Sequence, residues 1–378
     1  MNILIGADFV PTESNSKYFR VKDTSALFGA ELTAVLSNAD FSIFNLETPL
    51  SDREAPIIKC GPNLIAPTDA VNGYAAVGVG LLALANNHIL DQGAEGLKST
   101  LDTLKNAGID CVGAGADCDE ARAPYVFECD GKRIGVYACA EHEFSISDEG
   151  LCGANPFDPI QSIRDISALR DRCDYLIVLY HGGKEHYRYP SPMLQKTCRA
   201  IADRGADLVI CQHSHCIGCE EKYNGSRIVY GQGNFLFDRS ELECWQTSLL
   251  ISITDGFEIK YIPLVKAGCG VRLANAERAK EIMSAFEWRS EKIKENGFIK
   301  ERYAQFAQNE LYKYLFAFSG IKRTFLFKVI NRLSGHRYER WLIERKYGIH
   351  KITQIRNFIE CEAHRELLIA ALKGDLIY

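Results

Sequence analysis

Short apolar runs alternate with segments of helical periodicity from the start of the chain to about residue 270. The apolar runs predict strands at Asn2–Ala7, Phe41–Phe44, Val79–Ala85, Arg133–Cys139, Tyr175–Tyr180, Asp207–Cys211 and Arg227–Tyr230. Apolar residues recur at helical spacing before Gly108 and again before Gly205, which predicts two crossover helices. An alternating tract from Ser248 to Val265 predicts a closing hairpin that turns at Asp255 and Gly256. This order is typical of an α/β domain in which helices cover a sheet.

The pattern changes after Gly268–Gly270, where long helical patterns rich in charged and aromatic residues replace the strands. We therefore predict an α/β domain over residues 1–270 and a mainly helical extension over residues 271–378. Between Tyr312 and Lys351 the extension mixes aromatic and apolar residues with many lysines and arginines. Such helices either pack their apolar face on protein or lie on an anionic membrane surface or a synthase complex. No segment approaches the ~20 apolar residues of a transmembrane helix.

Composition narrows the function classes. With 47% hydrophobic and 25% charged residues in 378, the chain has the composition of a folded globular protein. A formal net charge of -5 argues against a nucleic-acid partner. The first residues resemble a core strand and lack the features of a signal peptide, so we expect a cytoplasmic protein whose fourteen cysteines are reduced. The sequence contains neither a Gly-x-x-x-x-Gly-Lys-Ser/Thr loop nor a Gly-x-Ser-x-Gly elbow.

Candidate chemistry follows the strands, because five of the apolar runs lead directly into polar residues that suit a metal ion. These residues are Asp8, Asn45, Glu47, Asn86, Asn87, His88, Asp91, His181, His213 and His215. The carboxyl ends of strands meet at one edge of an open α/β sheet, so we expect these side chains to converge. Carboxylate, amide and imidazole groups together are suitable ligands for a divalent ion. An extended backbone at His213-Ser214-His215 would send both imidazoles to the same side.

Four segments then carry a family resemblance. They are Asn45-Leu46-Glu47-Thr48-Pro49-Leu50, Ala85-Asn86-Asn87-His88-Ile89-Leu90-Asp91-Gln92-Gly93, His181-Gly182-Gly183-Lys184-Glu185 and Tyr230-Gly231-Gln232-Gly233-Asn234-Phe235-Leu236-Phe237-Asp238. As a set, and in this order, they resemble the CapA family of capsule and poly-γ-glutamate biosynthesis. The resemblance spans roughly residues 1–265 and leaves out the C-terminal extension.

This resemblance implies a fold similar to the calcineurin-like metallophosphoesterases, a four-layer α/β/β/α sandwich with two divalent ions (Mn, Fe, Zn or Mg) that share a carboxylate. The implied metal ligands are Asp8, Glu47, Asn87, His181, His213 and His215, with Glu47 or Asn45 at the bridging position. His88 matches a histidine that contacts the substrate phosphate, and a hydrogen bond to Asp91 is its structural alternative. We assign His88 and Asp91 as catalytic, and Asn45, Asn86 and Asn234 as substrate-binding.

Three positions depart from the phosphoesterase pattern. The first motif has Val10 where a histidine is usual, and Asn45-x-Glu47 replaces an aspartate pair. These two departures predict a weak or missing second metal site. Gln212 stands where a glycine usually precedes the His-x-His pair, so its side chain either crowds the pocket or donates to substrate.

Two functions from different classes follow. The first is a phosphoester hydrolase that uses metal-activated water on a phosphorylated or polymeric envelope substrate. The second is a non-catalytic subunit that organises a polymer synthase at the membrane through the basic extension. A nucleotidase or nuclease is a third reading that rests on fold analogy alone.

Overall fold

The computed structural model describes residues 1–373, and these form two compact units, Met1–Lys300 and a second unit that begins at Glu301. Each unit has its own apolar core.

The first unit holds the strands and the first nine helices, whose bounds follow. The strands are β1 Asn2–Asp8, β2 Phe41–Asn45, β3 Leu81–Ala83, β4 Asp110–Val112, β5 Ala114–Gly115, β6 Tyr125–Cys129, β7 Lys132–Ala140, β8 Gly153–Ala154, β9 Tyr175–His181, β10 Leu208–Gln212, β11 Glu220–Tyr223, β12 Ser226–Tyr230, β13 Thr247–Thr254, β14 Glu258–Ala267 and β15 Gly270–Leu273. The helices are α1 Ser16–Arg20, α2 Thr24–Leu27, α3 Gly29–Ser37, α4 Val71–Ala76, α5 Gly93–Ala107, α6 Cys118–Arg122, α7 Gln161–Arg170, α8 Pro192–Ala202 and α9 Ala276–Lys292.

Two large sheets organise the first unit. A seven-stranded sheet has the order β15-β14-β13-β1-β2-β3-β4, and a six-stranded sheet has the order β11-β12-β10-β9-β7-β6. Both are mixed: β1, β2, β3 and β4 pair in parallel in one sheet, β7, β9, β10 and β12 do so in the other, and the remaining strand pairs are antiparallel. The parallel strands of each sheet therefore end at the same edge, where their last residues become neighbours.

The alternation of side chains along the strands shows how the sheets stack. Ile3 and Ile5 of β1 belong to the same buried cluster as Ile177 of β9, so this cluster lies between the sheets. Leu4 of β1 packs instead with the helical residues Leu32 and Leu97, and the outer face of β9 packs with residues of α7 and α8. Because successive strand residues point to opposite faces, every central strand contacts both neighbouring layers. The predicted four-layer α/β/β/α sandwich is confirmed.

The two predicted crossover helices are present. Helix α5 connects the parallel strands β3 and β4, and α8 connects β9 and β10. Gly108 ends α5 with a left-handed backbone, φ 69° and ψ 28°, a conformation that glycine adopts without a Cβ clash. The predicted hairpin is formed by β13 and β14, which pair antiparallel across a short turn at Asp255–Phe257.

The division between the units lies at Lys300, thirty residues after the predicted boundary at 270. The strands do stop near 270, because β15 is the last strand that the structure describes. Helix α9 nevertheless belongs to the first unit, since its Ile282 and Phe286 share a buried cluster with Ile217 and Leu249. The change from strand to helix therefore precedes the end of the first core.

The second unit consists of helices in the residues that the structure describes. They are α10 Phe298–Ser319, whose first three residues belong to the first unit, α11 Phe325–Leu333, α12 Arg337–Lys346, α13 Ile349–Glu360 and α14 Glu362–Lys373. A small core of buried residues joins α10, α11 and α12: Leu315, Phe316, Phe327, Ile343 and Tyr347. Within residues 1–373, we find no helix that combines the length and the apolar content needed to cross a membrane.

Candidate metal centre

The polar residues that follow the strands meet at the edge shared by the two sheets. Asp8 ends β1 and pairs in register with Asn45 at the end of β2. In the other sheet, His181 ends β9 and pairs with Gln212 at the end of β10. All four are buried. The loops that leave these strands supply the remaining polar residues of the site.

One donor set is centred on His181. Its Nε2 atom lies 3.0 Å from Asn87 Oδ1, 3.1 Å from His213 Nδ1 and 3.2 Å from Glu47 Oε1. A neutral imidazole nitrogen has either one hydrogen or one lone pair, so it can satisfy only one of these three partners. Two imidazole nitrogens, a carboxylate and an amide oxygen that converge in this way are suitable ligands for a divalent ion.

The second donor set is centred on His215. Its Nδ1 atom lies 3.2 Å from Asp8 Oδ2 and 2.8 Å from Asn234 Oδ1. Asp8, Glu47 and His215 form one cluster with ligand-competent geometry, while Glu47, His181 and His213 form another. Glu47 is therefore common to the two clusters, which is the arrangement that a shared carboxylate requires.

Glu47 gives the clearest indication that the site accepts a cation. Its side chain is fully buried, and neither carboxylate oxygen accepts a hydrogen bond from any residue that the structure describes. His181 Nε2 is within ion-pair distance of Oε1 but lacks hydrogen-bond geometry toward it. A buried carboxylate without a donor is costly unless a cation or a proton compensates it. The residues present thus fit a divalent ion.

Burial is the main cause of the shifted pKa values of Glu47, His181 and His213 in the first donor set. Burial and then the charge of Asp8 raise the pKa of Glu47 to about 8. Burial lowers the pKa of His181 to about 4, and burial also holds the pKa of His213 well below its ordinary value. Both imidazoles are therefore neutral near pH 7, which is the form that binds metals.

The second set has the opposite character. Although burial acts against the charged form, the carboxylates of Glu47 and Asp8 raise the pKa of His215 to about 9. The hydrogen bond and the charge of His215 lower the pKa of Asp8 despite its burial. Asp8 and His215 already form an ion pair, so an ion at this set would have to displace a proton from His215.

The backbone at the His-x-His pair differs from the prediction. Strand β10 ends at Gln212, and both His213 and His215 have left-handed backbones, with φ of 84° and 52°. The expectation of an extended backbone there is wrong. Both imidazoles still reach the site, with ring centroids 6.0 Å apart, but one belongs to each donor set. Left-handed conformations of residues other than glycine cost free energy and are concentrated at functional sites.

The three asparagines expected to bind substrate differ in their contacts with the protein. Asn45 Nδ2 donates to Asp8 Oδ1 at 2.7 Å, and Asn86 Nδ2 donates to Asn45 Oδ1 at 3.2 Å and to the Leu46 carbonyl at 2.8 Å. Both residues are fully buried, and their hydrogen bonds hold Asp8 and the backbone before Glu47. Asn234 differs, because its Nδ2 atom is buried and has no partner among the described residues.

His88 and Asp91 form a dyad beside the donor sets. His88 Nδ1 lies 2.6 Å from Asp91 Oδ2, which leaves Nε2 as the ring nitrogen available for other contacts. Asp91 Oδ2 also accepts a hydrogen bond from the Leu64 amide at 2.6 Å. The predicted hydrogen bond of His88 to Asp91 is therefore present, and it is compatible with a contact of His88 to substrate.

A comparison with protein families decides the relationship. The family model described as bacterial capsule synthesis protein PGA_cap matches residues 3–239, which is more than half of the chain. The chain belongs to the PGA_cap family. The matched residues include every predicted site residue, from Asp8 to Asn234. The resemblance inferred from the four sequence segments is confirmed.

Curated relatives of this PGA_cap chain carry related names. The capsule biosynthesis protein CapA of Bacillus anthracis is 30% identical over 213 residues, which cover 54% of this chain and 52% of that protein. The PGA biosynthesis protein CapA of Bacillus subtilis is 33% identical over 165 residues, which cover 42% of this chain and 43% of the relative. The chain thus spans about half the length of these curated relatives.

Among solved structures, a phosphatase from Mycoplasma pneumoniae is similar in part. The match covers 71% of this PGA_cap chain and 94% of that protein, with 15% identity and a TM-score of 0.44. At this level of similarity we draw no conclusion about activity from it.

The structure explains two departures of this PGA_cap chain from the phosphoesterase pattern. Val10 packs in a buried apolar cluster with Phe237 and Trp245, so position 10 contributes to the core rather than a ligand. Gln212 is buried, and its Nε2 atom lies 3.5 Å from the Gly6 carbonyl. This contact is with β1, so Gln212 connects the two sheets.

Sequence reasoning missed three residues that support the site. The Lys59 side chain is 2% exposed; it forms an ion pair with Asp91, and its Nζ lies 3.1 Å from His88 Nδ1. The Ser145 hydroxyl donates to the Asn87 carbonyl at 2.8 Å, and the Trp245 ring lies 4.5 Å from the His215 ring between centroids. All three lie in segments that have no helix or strand periodicity and no motif, so no sequence signal indicated them.

Proposed function

We propose that this PGA_cap chain is a divalent-metal-dependent hydrolase of phosphoesters that acts on an envelope-polymer or lipid-linked substrate in capsule or poly-γ-glutamate biosynthesis. The observation that carries the proposal is the Glu47 carboxylate, which is buried, lacks a hydrogen-bond donor and is shared by two ligand clusters. The family membership and the names of the relatives support the biosynthetic setting.

His181, His213, Glu47 and Asn87 would hold one ion, and Asp8, His215 and Glu47 would hold a second, weaker one. A divalent ion in such a set supplies Lewis acidity and lowers the pKa of a coordinated water. Asn45 and Asn86 keep Asp8 and the Leu46 backbone in place through their hydrogen bonds. Preorganised ligands of this kind reduce the reorganisation needed on binding.

His88 would donate a proton to the leaving group. Asp91 accepts from Nδ1 and so fixes the tautomer and the orientation of the ring, and Lys59 holds Asp91 in turn. His88 is next to Asn87, a member of the first donor set, and its side chain is 12% exposed. It therefore combines proximity to the centre with access to an incoming substrate.

A non-catalytic subunit remains the second candidate. Its supporting observation is the apolar packing of Val10, which removes a ligand from the Asp8 set. One strong donor set and one weak set are compatible with a structural ion that does not take part in hydrolysis.

We expect the purified full chain to hold close to one tightly bound ion and to hydrolyse p-nitrophenyl phosphate or its bis ester only with added Mn, Zn, Fe or Mg. Metal analysis by mass spectrometry and a rate measurement with each ion, before and after chelation, provide the test.

His213→Ala should lower the metal content about tenfold or more, because it removes one imidazole from the stronger set. The matched control is His350→Ala, an exposed histidine on α13. If the protein holds no metal and shows no turnover with any of the four ions, the hydrolase proposal is wrong and the non-catalytic subunit is the remaining candidate.

The second unit suggests a membrane-surface contact as a further part of this proposal. Helix α11 exposes an apolar stripe that includes Phe325 at 84%, Leu326 at 67% and Leu333 at 82%. Lys322, Arg323, Lys328 and Arg332 lie on or beside the same helix. An exposed apolar stripe with basic neighbours is suited to the interface of an anionic bilayer, where the basic groups meet lipid phosphates.

We expect the full chain to sediment with vesicles that contain phosphatidylserine more strongly than with pure phosphatidylcholine vesicles. Changing Phe325, Leu326 and Leu333 to serine should weaken vesicle binding by roughly tenfold or more, because less apolar surface enters the bilayer. Serine at the exposed Leu367 and Leu372 of α14 is the control for the loss of apolar surface. Equal sedimentation of all variants would contradict the lipid contact and favour a protein partner.

A further inference from the structure

A second polar site lies beside the segment that follows His215. It is a cleft of about 350 Å³ in the first unit, and its lining includes Arg188, Glu243, Arg278, Glu281, Ile282 and Arg289. Its volume is within the range of small-molecule sites. None of these residues is a candidate metal ligand.

The charges in the cleft do not balance. Arg188 Nη2 pairs with Glu243 Oε2 at 2.6 Å, and Arg278 Nη1 pairs with Glu281 Oε2 at 2.7 Å. Arg289 forms no ion pair with any carboxylate in the described part of the chain, and its Nε donates to the Gly218 carbonyl at 2.7 Å. The cleft therefore contains one uncompensated guanidinium.

The residue that carries this guanidinium is largely buried. Arg289 is 9% exposed. Burial, and then the like charge of Arg188, lower the pKa of Arg289 from its ordinary value, so both effects act against the cation. A buried charge without a counterion is destabilising, and an anion in the cleft would remove that cost.

We propose that the cleft binds a ligand through a single carboxylate group held by Arg289. A guanidinium accepts a carboxylate with matched fork geometry. One unpaired positive charge matches a monoanionic group, whereas a phosphate dianion would meet the carboxylates of Glu243 and Glu281 at the same cleft. Ile282 and Ala285 supply apolar surface for a short carbon chain beside that carboxylate.

The position of the cleft connects it to the metal centre. Arg289 Nε binds the Gly218 carbonyl, and Arg188 Nη1 binds the Ile217 carbonyl at 3.1 Å. Both carbonyls belong to the segment that directly follows His215. A ligand at Arg289 would thus contact the same side chains that hold this segment.

Calorimetric titration of the full chain with pentanoate tests the proposal, with 1-pentanol as the uncharged analogue and inorganic phosphate as the alternative anion. We expect pentanoate to bind and the alcohol not to bind, and Arg289→Gln to weaken pentanoate binding by about tenfold or more. Lys280→Gln removes one exposed positive charge from the same helix outside the cleft and should leave binding unchanged. Glu243→Gln should strengthen binding by roughly threefold or more, because it releases Arg188 from its ion pair.

Unchanged pentanoate binding in Arg289→Gln, or no pentanoate binding by the wild type, would overturn the proposal. Phosphate binding that is tighter than pentanoate binding and depends on Arg289 would overturn the carboxylate assignment. Circular dichroism verifies the fold of Arg289→Gln. If that variant does not fold, Glu243→Gln decides, since an unchanged or weaker affinity for pentanoate would contradict the charge argument.

Discussion

Glu47→Gln is expected to abolish metal-dependent hydrolysis and to remove most of the bound metal while leaving the fold intact. The substitution keeps the volume of the side chain but removes the charge shared by the two ligand clusters. Changes in groups that merely orient metal ligands cost about 10- to 100-fold, so loss of the shared ligand should cost more than about 100-fold in rate. Metal analysis and initial rates with the most active ion measure both effects.

The metal-free forms give a second readout of the same substitution. The pKa of Glu47 rises to about 8 from an ordinary 4.5, so the folded state favours the protonated carboxyl. The stability associated with that proton is lost as the pH rises from 4.5 toward 8. Glutamine does not titrate, and the metal-free variant should exceed the metal-free wild type by about 3 kcal/mol in unfolding free energy near pH 7.

Urea denaturation of the chelated proteins at pH 5 and pH 7.5 provides the comparison, and the two proteins should differ less at the lower pH. Glu54→Gln is the matched control because Glu54 is exposed. A metal-free Glu47→Gln protein that is less stable than wild type at pH 7.5 would show that Glu47 makes a stabilising contact of its own, and would remove the main support for a cation there.

The positions of the ligands could be predicted because apolar runs in the sequence mark the central strands, and the residue after each run lies at the edge of the sheet. A run such as Tyr175–His181 is apolar on both faces, which marks a central strand between two layers, and a polar residue at its carboxyl end then faces the sheet edge. Asp8 and His181 follow this rule. The same reasoning gave the helices that connect parallel strands, since their periodicity and a terminal glycine are local features.

Other features depend on contacts that no local pattern encodes. Lys59 lies in the irregular segment between β2 and α4, yet it reaches Asp91 across the chain. Whether His213 and His215 serve one ion or two depends on their left-handed backbones, which periodicity does not reveal. Arg289 has no motif, because its importance comes from its lack of an ion pair with any carboxylate among the residues that the structure describes.

His88 is the residue at which the positioning and proton-donor roles can be separated. Its Nδ1 atom is engaged by Asp91, and Lys59 contacts both. A structural role would affect the loop and its neighbour Asn87, and hence the metal content. If His88 is instead a proton donor, its loss would lower the rate more for a basic leaving group, which must be protonated, than for a weakly basic one.

We expect His88→Ala to lower the rate by roughly 100- to 10,000-fold for an alkyl phosphoester, the range of general acid catalysis, with little loss of metal. The loss should be much smaller for p-nitrophenyl phosphate, because p-nitrophenolate departs without a proton. Rates with both substrates and the metal content of the same preparations measure this, with the exposed His350→Ala as control. Asp91→Asn should show the same dependence on the leaving group in weaker form, since it misorients His88 without removing it. If the rate falls equally with both substrates and the metal content falls as well, His88 has a structural role at the metal centre. The His88–Asp91 dyad would then not be the proton donor to the leaving group.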